Sequence, residues 1–235
     1  MFNNKKILVV VAHPDDEILG LGATMHKLIC EYNLKVNVII LGEGLTSRDD
    51  ERDVAKREKE LAIHHSNIHN AKNEIGYNDV KTYNFPDNRF DTVALLDIIK
   101  VIEKEKELFH PDIIFTHHGG DVNVDHQKTF EAVITACRPL ENETVQTIIT
   151  FETASGTEWR ASSDPRQFIP NLFIEFTKED LESKIRAMES YEFEKRNFPH
   201  PRSPKALEIQ AQRWGIVVGK IYAEAFQIIR MNIKN

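Results

Sequence analysis

Residues 5–22 read KKILVVVAHPDDEILGLG, an apolar run that stops on a histidine, a proline and three consecutive acids. Ile7 to Ala12 are apolar without a break, which fits a strand buried on both faces better than one with a wet side. Asp15, Asp16 and Glu17 follow at once. Like charges side by side repel, so an acidic knot at the tip of a core strand costs stability unless a positive charge sits beside it. In open parallel sheets ligands bind at such carboxyl ends, where loops lead into helices.

Outward from this stretch, short apolar runs alternate with longer segments of helical period, the signature of an α/β domain with a largely parallel sheet. Strands are expected at 6–12, 35–41, 80–85, 112–116, 145–151 and 172–176. Helices are expected near 16–32, 49–72, 92–108, 126–138, 178–195 and 204–230. The last opens on Ser203-Pro204, a capping serine with proline at the first helical position, and Gly215 and Gly219 are candidate interruptions. No repeat or linker divides the chain, so residues 1–235 form one expected domain. The segment 152–170 has loop composition and is long enough to be functional.

Composition narrows the classes. The chain has 235 residues, 41% hydrophobic and 29% charged, with a net charge of −7, which reads as a soluble globular protein. The negative balance argues against a general nucleic-acid binder or an anionic-membrane binder. Cys30 and Cys137 form no zinc knuckle and no CxxC pair and read as reduced, buried small hydrophobes. No apolar signal segment opens the chain and no apolar run spans a bilayer, so no membrane insertion is expected and the cytoplasm is the default location.

A second strand end is equally rich in metal-type ligands. In DIIFTHHGGDVNVDHQKTF, residues 112–130, a strand ends at Thr116 and a loop carries His117, His118, Asp121, Asn123, Asp125 and His126. An imidazole and a carboxylate from the first site with an imidazole from the second make three ligands and an open position, the pattern of a catalytic zinc site. A bound cation would neutralise the acids. His13 sits at the strand tip, Pro14 fixes the turn, and Asp16, about one turn on, can bend back to the same ion. Asp15 points elsewhere and is free to handle a proton. Glu17 is placed to accept a hydrogen bond or orient a ligand. Asp125 alone would explain the cap of the following helix.

AHPDDE followed by a later DH at a helix start resembles the PIG-L-type (LmbE-like) zinc-dependent de-N-acetylases. GEGLTSR (42–48), FPDNRFD (85–91), SGTEW (155–159), PHPRS (199–203) and AEAF (223–226) extend the likeness over most of the chain. The resemblance implies a Rossmann-like fold with helices on both faces of the sheet. It also implies removal of acetyl groups from N-acetylated amino sugars or their conjugates, with a small-molecule substrate, in a family whose members often form closed homo-oligomers. On that likeness His13, Asp16 and His126 hold one Zn²⁺ per chain and Asp15 is the general base. Many members carry a histidine where this chain has Asn123; an amide can donate to an oxyanion but supplies no proton. The proton for the leaving amine then comes from Asp15 or from another group, for which His200 is the candidate.

Arg48, Arg89 and Arg202 are candidates to grip phosphate or hydroxyls of a substrate, with surface or loop ion pairing the alternative. Trp159 could stack on a sugar ring or anchor its loop. Three other classes remain: a nucleotide-dependent oxidoreductase suggested by GLGAT (20–24), a non-catalytic sugar binder, and a metal-dependent phosphoesterase. In the first, the glycines fall too far into the helix. In the second, Asp15 and all three ligands would be retained without use. The third normally wants more ligands and a second metal.

Overall fold

The computed structural model describes residues 1–32 and 34–233. Its seven strands form one sheet in the order β3-β2-β1-β4-β5-β7-β6. They are β1 (Lys6–Val11), β2 (Lys35–Gly42), β3 (Asp79–Phe85), β4 (Ile113–His117), β5 (Thr147–Phe151), β6 (Leu172–Glu175) and β7 (Ala223–Met231). The pairs from β3 through β2, β1 and β4 to β5 are parallel, and β7 is antiparallel to both of its neighbours. The helices are α1 (Asp16–Leu19), α2 (Gly22–Tyr32), α3 (Glu58–Ile75), α4 (Leu95–Phe109), α5 (Val124–Ala136), α6 (Lys178–Glu189) and α7 (Pro204–Val217).

β1 explains why the fold closes around the opening sequence. Ile7, Val9 and Val11 join one core with Met25, Ile68 and Met188, from α2, α3 and α6. Leu8, Val10 and Ala12 join another with Ile98, Ile102 and Val133, from α4 and α5. One strand therefore feeds a core on each face, as its unbroken apolar run requires. Strand order reverses between β1 and β4, so their carboxyl ends flank the crevice where ligands bind in such sheets.

Four expectations need correction. The helix expected at 204–230 ends at Val217, and 223–231 is β7. Ala223 to Phe226 are buried between two strands and show no alternation, so nothing marks them as a strand by period. The turn between uses Gly219 at φ 71, in the left-handed region. Next, the helix expected from 49 begins at Glu58; Lys56 and Arg57 instead tie to Asp49 at 2.6 and 2.7 Å and hold 49–57 as a loop. Third, the segment 16–32 divides into α1 and α2. Gly20 lies at that break, and a Cβ there would collide with the Phe151 ring, so it serves close packing. Last, Cys137 is buried but Cys30 is exposed. Among the described residues no helix is long and apolar enough to cross a membrane.

Candidate metal centre and active site

The turn after β1 presents its acids in three directions. Asp16 bends back, and its Oδ2 accepts the His13 backbone N–H at 2.8 Å. Asp15 has φ 101, a left-handed backbone that costs a non-glycine residue energy. Its N–H donates to Glu17 Oε2 at 3.1 Å, while Glu17 Oε1 accepts from the Tyr191 hydroxyl. Burial raises the Glu17 carboxyl to about 7.

Three imidazoles surround the Asp16 carboxylate. His13 Nδ1 lies 3.4 Å from Asp16 Oδ2, and His126 Nε2 and His117 Nε2 each lie 3.3 Å from the same oxygen. His117 also accepts the Ala12 N–H at 2.9 Å, and its Nδ1 faces Thr153 Oγ1 at 3.0 Å. That ring is fully enclosed and stacks on His126 at 3.8 Å. Burial and the neighbouring His126 push it down to about 4, so it is a neutral structural plate. His118 points away and bonds the Arg166 carbonyl.

The electrostatics show the cluster's demand for positive charge. Burial opposes charging every group here, yet His126 rises to about 9 because Asp16 and Asp121 outweigh that cost. His13 is likewise held well above the ordinary imidazole value: burial lowers it, but Asp125 and Asp16 raise it more. Asp16 stays well below the usual carboxylate range, burial being overcome by His126 and His117. Asp15 moves the other way: burial raises it, Asp16 repels it, and Arg202 only partly compensates.

His13, Asp16 and His126 bring one donor atom each within 4.8 Å of one another. Both ring nitrogens of His126 are buried without a hydrogen-bond partner, although carboxylate oxygens lie 3.2 and 3.3 Å away. Two imidazoles and a carboxylate, one imidazole orphaned, fit a divalent cation. His13, Asp87 and Asp125 form a second such group. There Asp125 already accepts the Asn88 and Phe90 N–H groups at 2.6 and 2.8 Å, and Asp87 accepts Ser47. These two carboxylates are better placed to hold His13 Nε2, at 2.9 and 3.3 Å, than to bind an ion.

Above the cluster lies a cavity of ≈ 300 Å³, whose wall includes His13, Asp15, Arg48, Asn123, Trp159, His200 and Arg202. Asp16 and His126 sit beneath it against His13. Arg202 Nη1 donates to Asp15 Oδ2 at 2.8 Å and to Glu194 Oε2 at 2.7 Å. Arg48 pairs with the same Glu194 and with the Phe193 carbonyl. His200 Nδ1 accepts the Arg202 N–H at 3.2 Å, and Trp159 meets the His200 ring edge-on. Arg89 is not on this wall; its guanidinium donates to the Asp50 carbonyl.

Asn123 caps α5: its Oδ1 accepts the Asp125 N–H at 2.8 Å, and its Nδ2 donates to Asn88 Oδ1 at 3.0 Å. The expected cap, Asp125, is instead turned onto His13. Asp87, Glu194 and Ser155, whose hydroxyl oxygen accepts the Arg202 Nε–H at 2.8 Å, were not among the sequence candidates, and Asp125 was expected only as a member of the second strand end's acidic set or as a cap. Asp87 lies in the quoted FPDNRFD stretch, the one signal that could have found it.

The family profile of PIG-L, GlcNAc-PI de-N-acetylase, matches residues 8–137, and the chain belongs to that family. An Escherichia coli K12 protein described as the uncharacterized deacetylase YaiS is 28% identical over 194 residues, 80% of this chain and 90% of that one. N,N'-diacetylchitobiose deacetylase from Pyrococcus horikoshii, solved with its inhibitor MPG, shares the fold with a TM-score of 0.75 at 18% identity, covering 96% of this chain and 84% of its own. The 4-carboxy-2-hydroxymuconate hydratase GalB of Pseudomonas putida shares it as well, with a TM-score of 0.73 at 17% identity and 98% of both chains. A hydratase on the same fold means that chemistry must be argued from the site.

Proposed function

We propose that the chain is a zinc-dependent N-deacetylase that hydrolyses the acetamide of an N-acetylated amino sugar or its conjugate, releasing acetate. The observation that carries this reading is the His13–Asp16–His126 cluster with a separate carboxylate, Asp15, on the cavity wall beside it. Family membership and the deacetylase relatives support it. Held by those three residues, Zn²⁺ would polarise the amide carbonyl and acidify water.

The chain's own residues supply the rest. Arg202 engages Asp15 Oδ2, which leaves Oδ1 to take the proton of the attacking water. The water oxygen bonds to the carbonyl carbon, and the charge that develops on the carbonyl oxygen needs donors. Asn123 Nδ2 gives one hydrogen to Asn88 and has a second to offer. When the C–N bond breaks, Asp15 returns its proton to the amine nitrogen. His200 is the alternative donor. Asp87 and Asp125 keep the His13 ring oriented. Arg48, Trp159 and Arg202 line the side where the rest of the sugar conjugate would lie.

Zinc-loaded protein incubated with p-nitrophenyl N-acetylglucosaminide, and separately with p-nitrophenyl phosphate, tests the reading. Free amine and acetate in equal amounts, without phosphate release, are expected. Phosphate release without amine would give the site to phosphoesterase chemistry.

A further inference from the structure

We propose that Glu17 and Tyr191 are positioning residues for Asp15, the carboxylate that takes the water proton in the deacetylase reading on which this inference rests. Asp15 stands on the cavity wall, whereas Glu17 and Tyr191 do not. Nor does Glu17 join either group of donor atoms that could hold a metal among the described residues. The contacts of the pair lead to Asp15 instead.

Asp15 needs an external hold. Its φ of 101 lies in the left-handed region, where a residue with a Cβ persists only if its surroundings fix it. It stands at the N-cap of α1, yet its side chain makes no capping bond, although aspartate commonly turns inward to make one. The carboxylate is thereby left for the cavity, and the backbone is held by other means. The Asp15 carbonyl accepts the Ile18 and Leu19 N–H groups at 3.0 and 2.9 Å. The Asp15 N–H donates to Glu17 Oε2 at 3.1 Å, a contact that depends on one side chain.

Tyr191 fixes that side chain. Glu17 Oε1 accepts the Tyr191 hydroxyl at 2.5 Å, and the Glu17 carbonyl accepts the Tyr77 hydroxyl at 2.9 Å. Glu17, Tyr191 and Tyr77 are 2%, 0% and 3% exposed. Both rings belong to the core that β1 shares with α2, α3 and α6, so packing aims each hydroxyl. A carboxyl so enclosed must find its donors within the protein.

Tyr191 also opens the segment that holds the other end of Asp15. Residues 191–202, which follow α6, carry both Tyr191 and Arg202, and Arg202 Nη1 donates to Asp15 Oδ2 at 2.8 Å. Arg202 is itself anchored by Glu194 at 2.7 Å and by Ser155 at 2.8 Å. One stretch of chain thus grips Asp15 twice, at the backbone through Glu17 and at the carboxylate through Arg202. That stretch lies outside residues 8–137, the span matched by the family profile.

Three variants of the zinc-loaded chain, assayed on p-nitrophenyl N-acetylglucosaminide, test the assignment. Glu17→Met removes both contacts and should lower kcat by about 10²-fold, the cost of a reacting group displaced by about 1 Å. Tyr191→Phe removes one hydroxyl and should lower kcat about tenfold by the same route. Both should keep stoichiometric zinc, with KM within about twofold, because the wall that binds substrate is untouched. Glu17→Gln keeps an acceptor for the Asp15 N–H and turns a donor toward the Tyr191 oxygen, so kcat should stay within about threefold of wild type. A loss in Glu17→Gln as deep as in Glu17→Met would give the effect to a buried charge and overturn the proposal. So would an unaltered kcat in Tyr191→Phe, or loss of its zinc.

Amide exchange at Asp15, followed by NMR without substrate, separates this assignment from the function. The Asp15 N–H should exchange at least about tenfold faster in Tyr191→Phe than in wild type or Glu17→Gln, as its local opening becomes easier. An Asp15 amide unmoved in Tyr191→Phe overturns the positioning even if the wild type deacetylates. A wild type that releases no amine overturns the deacetylase reading, while the exchange still decides this one.

Discussion

The floor and the rim of the cavity beside the His13–Asp16–His126 cluster are held by different means. His13, Asp16 and His126 hang from the end of β1 and the first turns of α1 and α5, and each is at least nine-tenths buried. Carboxylates and a stacked imidazole fix their rings on several sides. Trp159 and His200, by contrast, stand on connecting segments, and Trp159 is 57% exposed. Arg202 reaches Asp15 across 187 residues of chain. A rigid floor suits a metal and the proton transfer beside it, where small displacements cost much rate. A rim on loops can vary with the substrate while the floor stays fixed.

The largest effect is expected where the floor is cut. Asp16→Ala removes the carboxylate that His13, His117 and His126 all face. Zinc should be lost by elemental analysis and turnover should fall to background, with the fold retained by circular dichroism. Stoichiometric zinc in this variant would break the ligand assignment. The wild type should also show a pH signature. His126 holds a proton up to about 9 without metal, and a ligand imidazole must be neutral. Apparent zinc affinity should therefore fall as pH drops below that value, by about tenfold per pH unit for each proton displaced. Competition with a chelator of known affinity measures it; a flat profile from pH 6 to 8 would contradict it.

Next in size is Asp15→Asn, which separates metal from proton on the same floor. Asparagine tolerates the positive φ of this position, so the turn should survive with zinc bound. Turnover should fall by about 10²–10⁴-fold, the reach of a positioned acid or base. Near-normal rates in the zinc-loaded variant would move the proton transfer elsewhere.

Floor and rim also differed in how far they could be read from sequence. The floor is local: HPDDE ends a strand and NVDH opens a helix, so residue type and spacing marked both strand ends, and the family resemblance singled out His126 among the imidazoles of the second. The family profile covers the same part of the chain, stopping at 137. The partners that tune it are not local. Asp87 and Glu194 arrive by long-range contacts with His13 and Arg48 that no periodicity encodes. Arg48 and Arg89 looked alike in sequence, each following a strand, yet one faces the cavity and the other the Asp50 carbonyl. β7 escaped for a related reason: helix or strand at 223–231 depended on the slot between β5 and β6, which the segment itself does not reveal.

Asn123 sits where floor meets rim, and its two jobs can be pulled apart. Asn123→Ala removes both the α5 cap and the Nδ2 donor, whereas serine keeps a capping oxygen and loses the donor. Turnover should fall roughly 10²-fold in both variants. Only alanine should also lose stability, about 1 kcal/mol in chemical denaturation. Wild-type turnover in Asn123→Ser would leave this residue as a cap alone.

The smallest effect is expected on the rim, at His200. Burial and the Arg202 charge lower its pKa, so near neutral pH the ring is largely unprotonated and a poor proton donor. Its Nδ1 is already occupied by the Arg202 N–H, a role that the side-chain oxygen of glutamine can imitate. In the proposed mechanism Asp15 holds the proton taken from water, and it lies on the same wall, so that mechanism requires no second acid. His200→Gln should therefore cost less than about threefold in kcat, well short of the 10²–10⁴-fold of a general acid. The basic limb of the pH–rate profile should persist. If that limb disappears with His200, the rim supplies the proton to the amine, and the division between a chemical floor and a recognition rim fails at this residue.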